Sequence, residues 1–68
     1  MMALIVYIYN ILGDREKVGE FTDPLACATF ALALHEKIQR DNEKEKYNIK
    51  AVTIKDENEV DRWKEVVG

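Results

Sequence analysis

Two side chains in this sequence have the chemistry of a nucleophile and its base, Cys27 and His35, and both fall on one predicted helix. Eight residues of helix separate them, about 12 Å along the axis, and rotate His35 away from the face that carries Cys27. A thiol needs a base within hydrogen-bond reach to become a strong nucleophile. The chain has no serine, the commonest hydroxyl nucleophile. We therefore expect Cys27 to be a small core residue, His35 a surface or rim residue, and the protein not to be an enzyme.

The residues that could hold a cofactor or a metal ion are equally few. Cys27 and His35 are the only soft ligands, whereas a structural zinc site needs four. The three glycines are isolated, so no glycine-rich phosphate loop is present. We expect neither metal nor cofactor.

Length and composition predict one small domain over residues 1–68. The chain is 47% hydrophobic and 34% charged, as in a folded protein. A core this small stabilises weakly and one cysteine forms no internal disulfide, so a partner is the expected source of further stability. The single cysteine favours a reducing compartment, and we predict a cytoplasmic protein. The apolar segment Met1–Leu12 is too short to span a bilayer and lacks the features of a signal peptide, so no membrane association is expected.

A net charge of −3 and a pI near 5.0 disfavour nucleic acid as a partner. Between Asp56 and Glu65, five acids stand against two bases. The simplest interpretation is a solvated helix start; the alternative is an acidic patch that binds a basic partner or imitates DNA phosphates.

The order of elements follows from hydrophobic patterns and turn residues. The apolar run Ala3–Leu12 predicts a strand, Asp14–Lys17 a turn and Val18–Thr22 a weaker edge strand. Asp23-Pro24 predicts the start of a long helix that runs to about Asn42–Lys46. Tyr47–Lys55 is the third predicted strand, and Asp56 or Asn58 is expected to cap a short final helix with Val60, Trp63, Val66 and Val67.

These elements predict an α+β fold of order β-β-α-β-α. The long helix, laid across one face of the sheet, connects the second and third strands and leaves room for the first between them. The expected sheet is therefore antiparallel with strand order 2-1-3, and its most hydrophobic strand is central.

The long helix carries more apolar surface than a two-layer domain can bury. Its predicted core face holds Cys27, Phe30, Ala31, Leu34 and Ile38. The helix also carries a second stripe, with the residue spacing that is typical of a helix docking onto another surface. This stripe consists of Leu25, Ala28, Leu32 and His35. Two alternatives stay open: the C-terminal helix covers this stripe, or its leucines lie singly in water.

The central strand raises the same question. Leu4, Val6 and Ile8 point one way, while Ile5, Tyr7, Tyr9 and Ile11 point the other way. If the helices cover the first set, Tyr7 and Tyr9 are left for a partner. Alternatively, the C-terminal helix with Trp63 covers this face.

Two functions follow from these surfaces. The first is a non-enzymatic protein–protein interaction module, a homodimer or a small regulator of phage or mobile-element type that docks on a larger protein. The second is a single-stranded nucleic-acid binder that stacks bases on Tyr7 and Tyr9, with Arg15, Lys17, Lys50 and Lys55 as the available cations. No motif is specific enough to name a related family.

Overall fold

The computed structural model describes residues 2–44 and 49–68. Its elements in chain order are β1 (Leu4–Asn10), β2 (Arg15–Phe21), α1 (Pro24–Lys44), β3 (Ile49–Asp56) and α2 (Trp63–Val67). The three strands form one antiparallel sheet in the order β2-β1-β3. This architecture confirms the α+β fold predicted from the sequence. Neither helix in the described part of the chain is long and apolar enough to cross a membrane.

The hairpin between β1 and β2 is tighter than predicted. The carboxamide oxygen of Asn10 accepts hydrogen bonds from the backbone N–H groups of Leu12 and Asp14. Gly13 supplies the positive φ of 89° that the turn requires. Closing the turn here starts β2 at Arg15, so the prediction that Asp14–Lys17 forms a turn is wrong. The strand tolerates these charged residues because it lies at the sheet edge.

The long helix begins as predicted and packs one face on the sheet. The Asp23 carboxylate accepts a hydrogen bond from the N–H of Leu25, which satisfies one of the donors exposed at a helix start. The core joins one face of β1 and β3 to one face of α1, and its buried members are Leu4, Val6, Cys27, Ala31, Ile38, Val52 and Ile54. Leu34 packs partly buried against this core. Phe30 lies at its margin, 37% exposed, with its ring 5.3 Å from that of Phe21.

The end of β3 differs from the prediction. Asp56 and Asn58 do not cap a helix, and α2 begins only at Trp63. Asp56 instead organises a turn, in which its carboxylate accepts hydrogen bonds from the N–H groups of Asn58 and Val60. The predicted third strand began at Tyr47, but residues 45–48 lie outside the described part of the chain.

Candidate functional site

The exposed face of α1 is the first candidate for a binding surface. No charged residue occurs from Pro24 to Leu34. Leu25 is 74% exposed and Leu32 is 39% exposed. Ala26, Thr29 and Ala33 are also exposed on this part of the helix. These five residues form a continuous uncharged surface, which we call the outer α1 face.

Two members of the predicted second stripe do not belong to this surface. Ala28 is only 8% exposed and adds little to this surface, and its part in partner binding stays a prediction. His35 is half-buried, and its ring meets that of Trp63 edge-on at a centroid distance of 5.9 Å. Both residues lie on the flank of α1 that turns toward the core and α2, because the stripe slants around the helix instead of following its outer side.

From the sequence, the short helix α2 could cover either the second stripe of α1 or the sheet face with Tyr7 and Tyr9. It covers neither. Trp63, Val66 and Val67 pack against the buried core cluster, on the side of the sheet that carries α1. Trp63 reaches α1 at His35. Leu25 and Leu32 stay exposed, and neither described helix packs on the tyrosine face, the side of the sheet that carries Tyr7 and Tyr9.

The tyrosine face of the sheet is partly covered by side chains of the chain itself. Since Leu4 and Val6 are buried toward α1, strand alternation directs Ile5, Tyr7 and Tyr9 to the opposite face. The guanidinium carbon of Arg15 lies 4.3 Å from the centroid of the Tyr7 ring. This geometry is that of a cation–π contact.

Arg15 is itself held by an acid. Its Nη1 and Nη2 donate to the two carboxylate oxygens of Glu59 at 2.6 and 2.8 Å. These hydrogen bonds lower the pKa of Glu59 below its ordinary value. On the same strand, Lys17 Nζ lies 2.6 Å from Glu20 Oε1. Two of the cations expected near the tyrosines therefore have acidic partners.

The lone cysteine occupies the place expected of a core residue. Cys27 is fully buried, and burial raises the pKa of its thiol. The structure does not bring it to His35, which contacts Trp63.

A groove along the outer edge of β3 was not foreseen from the sequence. It has a volume of about 660 Å³ and lies between the strand and α2. Its lining residues are His35, Ala51, Val52, Thr53, Asp61, Trp63, Lys64 and Glu65. No local sequence pattern marks it, because it forms only where the chain turns back after β3 and places Trp63 beside α1.

Comparison of the chain with protein-family models, with curated protein sequences and with solved structures finds no significant match.

Proposed function

We propose that this chain is a non-enzymatic protein-interaction module that docks through the outer α1 face, with a second copy of itself as its partner. The observation that carries the proposal is Leu25, 74% exposed on a stretch of helix that has no charge over eleven residues, from Pro24 to Leu34. Contiguous apolar patches on small proteins usually mark interaction sites.

The spacing of large and small residues on this face supports self-association. A two-fold axis through Thr29, with the two helices antiparallel, places residues whose numbers sum to 58 at the same height. The helical rotation of about 100° per residue puts both leucines on one side of Thr29 and both alanines on the other. The axis keeps each residue on its own side, so Leu25 of one copy meets Leu32 of the other, and the small residues Ala26 and Ala33 face each other on the opposite side.

Three turns of helix cover less than the roughly 800 Å² per partner of a typical specific interface. We therefore expect a weak dimer, with a dissociation constant in the micromolar range or above. The single cysteine and its burial are compatible with the cytoplasm, which we keep as the proposed location.

Sedimentation equilibrium across micromolar concentrations tests this proposal. We expect a reversible dimer that Leu25→Glu converts to a monomer, since a carboxylate would be desolvated against the partner. Ile11→Glu is the matched control, because Ile11 is 67% exposed at the hairpin tip, away from α1. A chain that stays monomeric at roughly millimolar concentration contradicts the homodimer and leaves a different protein as the partner of this face.

A double-mutant cycle tests the pairing itself. Leu25→Ala and Leu32→Ala should each weaken the dimer, and their combined effect should be smaller than the sum, because both remove the same leucine contact. Strictly additive losses would exclude the antiparallel pairing centred on Thr29.

A second candidate function, single-stranded nucleic-acid binding on the tyrosine face, is favoured by the contact of Arg15 with Tyr7. The acids that pair Arg15 and Lys17 reduce the free positive charge available to phosphates. Titration with a labelled oligonucleotide distinguishes the two functions. Salt-sensitive binding that Tyr9→Ala abolishes would support this second candidate.

A further inference from the structure

The outer edge of β3 is closed along only half of its length. After the turn at Asp56, the chain runs back beside the strand. There Arg62 N–H donates to the carbonyl of Ile54 at 2.8 Å, and Asp56 N–H donates to the carbonyl of Val60 at 3.0 Å. Lys55 and Asp61 form an antiparallel bridge between them. This return segment, residues 60–62, takes the place of a fourth strand for the last part of β3.

Among residues 2–44 and 49–68, no segment pairs with the rest of that edge. Backbone groups of alternate residues in a strand point to the same edge. Since those of Ile54 and Asp56 point outward, the N–H and C=O of Val52 also point outward. Within the described residues, no backbone hydrogen bond outside the sheet reaches Val52. Its outward groups are available to an added strand.

The groove beside this edge provides room and side-chain contacts. Ala51, Val52 and Thr53 line it on one side, and His35 and Trp63 line it on the other.

The charged residues of the groove favour a basic ligand. Its lining includes two acids, Asp61 and Glu65, and one base, Lys64. Arg62 is not among the residues that line the groove, and its single positive charge is shared between the carboxylates of Asp56 and Glu65.

We propose that this groove binds an extended peptide of a partner protein, which adds as a short strand at Ala51–Thr53 and directs a basic side chain toward Asp61 and Glu65. This mode of recognition takes its affinity from main-chain hydrogen bonds and its specificity from alternate side chains. A second copy does not fit as the occupant. Its β3 is a continuous strand of eight residues, and in antiparallel pairing around Val52 it would collide with the return segment opposite Ile54. The site is separate from the outer α1 face.

A synthetic pentapeptide with blocked ends, alternating lysine and valine, is the probe. Trp63 is the single tryptophan of the chain and lines the groove, so its fluorescence reports occupancy directly. We expect a saturable change in fluorescence, together with amide chemical-shift changes at Ala51–Thr53. A matching peptide with glutamate in place of lysine should bind several-fold more weakly. Lys64→Glu should strengthen binding of the lysine peptide by a similar factor.

Two variants at one position separate strand addition from contact with the groove wall. Val52→Pro removes the outward N–H of Val52 without touching the hydrogen bonds to β1, and it should abolish binding. Val52→Ala shortens the same side chain and keeps the N–H, so it should still bind. Since either change could destabilise the fold, a peptide N-methylated at its central residue repeats the test on the unaltered protein and should not bind.

Three results would contradict the proposal. Absence of a saturable change at roughly millimolar peptide, or equal binding by Val52→Pro and Val52→Ala, would exclude strand addition. Equal binding of the two charged peptides would exclude the basic ligand. Leu25→Glu, which tests the outer α1 face, should leave peptide binding unchanged, so the two proposals can fail independently.

Discussion

The guanidinium Nε of Arg62 donates a hydrogen bond to Oδ2 of Asp56 at 2.8 Å, across the turn that connects β3 to α2. Asp56 is only 2% exposed, and its other oxygen accepts from the N–H groups of Asn58 and Val60. One carboxylate therefore fixes both the turn and the position at which the chain runs back along β3. The groove beside that edge depends on this arrangement.

Replacing Asp56 with Asn should lower the melting temperature. The amide has one acceptor oxygen where the carboxylate has two, and it carries no charge to hold Arg62. The matched control is Glu57→Gln, the same kind of change at an exposed neighbour, which should have little effect. Thermal unfolding followed by circular dichroism measures both, and equal melting temperatures would contradict the role given to Asp56.

Stability should decrease in acid. The N–H of Val60 and the guanidinium of Arg62 lower the pKa of Asp56 below its ordinary value of 3.8, and Arg15 lowers that of Glu59 below 4.5. Because the folded protein binds these protons less readily than the unfolded chain, this contribution is full above about pH 5 and is lost as the pH falls through the lowered values.

Urea unfolding at about pH 6 and about pH 3 measures this dependence. We expect a smaller free energy of unfolding at the lower pH, and a weaker dependence when Asp56→Asn and Glu59→Gln are combined. If the double variant shows the same difference in the free energy of unfolding between the two pH values, other groups cause the loss of stability in acid.

Gly19→Ala should destabilise the packing of β2 on α1. A Cβ at this position would lie 2.9 Å from Cε1 of Phe21 and 3.2 Å from Cε2 of Phe30. Overpacking of this kind costs about 1–3 kcal/mol. Phe21→Leu should recover part of the loss in the double variant, whereas Glu16→Ala, an exposed change on the same strand, should be neutral. Denaturant unfolding gives the free energies, and a neutral Gly19→Ala would show that the rings move freely.

Glu59→Gly and Glu59→Ala should differ in melting temperature, although both variants remove the carboxylate that binds Arg15. Glu59 has a φ of 64°, a conformation that disfavours residues with a Cβ. The glycine variant should therefore melt higher than the alanine variant, by about 5 °C. Thermal unfolding of the two variants side by side makes the comparison, and equal values would indicate that the turn relaxes.

Cys27 should react slowly with a thiol reagent in the folded protein. Its side chain is fully buried and burial raises the pKa of the thiol, so both access and thiolate concentration are low. The rate of reaction with a disulfide reagent should rise many-fold in denaturant. The control is Cys27→Ala combined with Gln39→Cys, which moves the thiol to the exposed side of α1 and should react at once. Fast reaction of native Cys27 would contradict its burial.

The order of the elements, the central position of β1 and the start of α1 could all be predicted from the residues alone. These features rest on local signals: an unbroken apolar run, which needs cover on both sides, and Asp23-Pro24, which suits the first turn of a helix. The core face of α1 also followed from periodicity, because Cys27, Ala31 and Ile38 recur at helical spacing.

The tertiary structure alone decided which apolar residues stay outside. Ala28 and Leu25 belong to one sequence stripe, yet the first is buried and the second exposed, since the stripe slants around the helix past the place where α2 packs. A helix of five residues carries no local signal for the face it will cover. Its place is set by the Asp56–Arg62 contact across the turn and by the packing of Trp63 against His35. The second of these contacts joins parts of the chain that are distant in sequence. The open half of the β3 edge exists for the same reason.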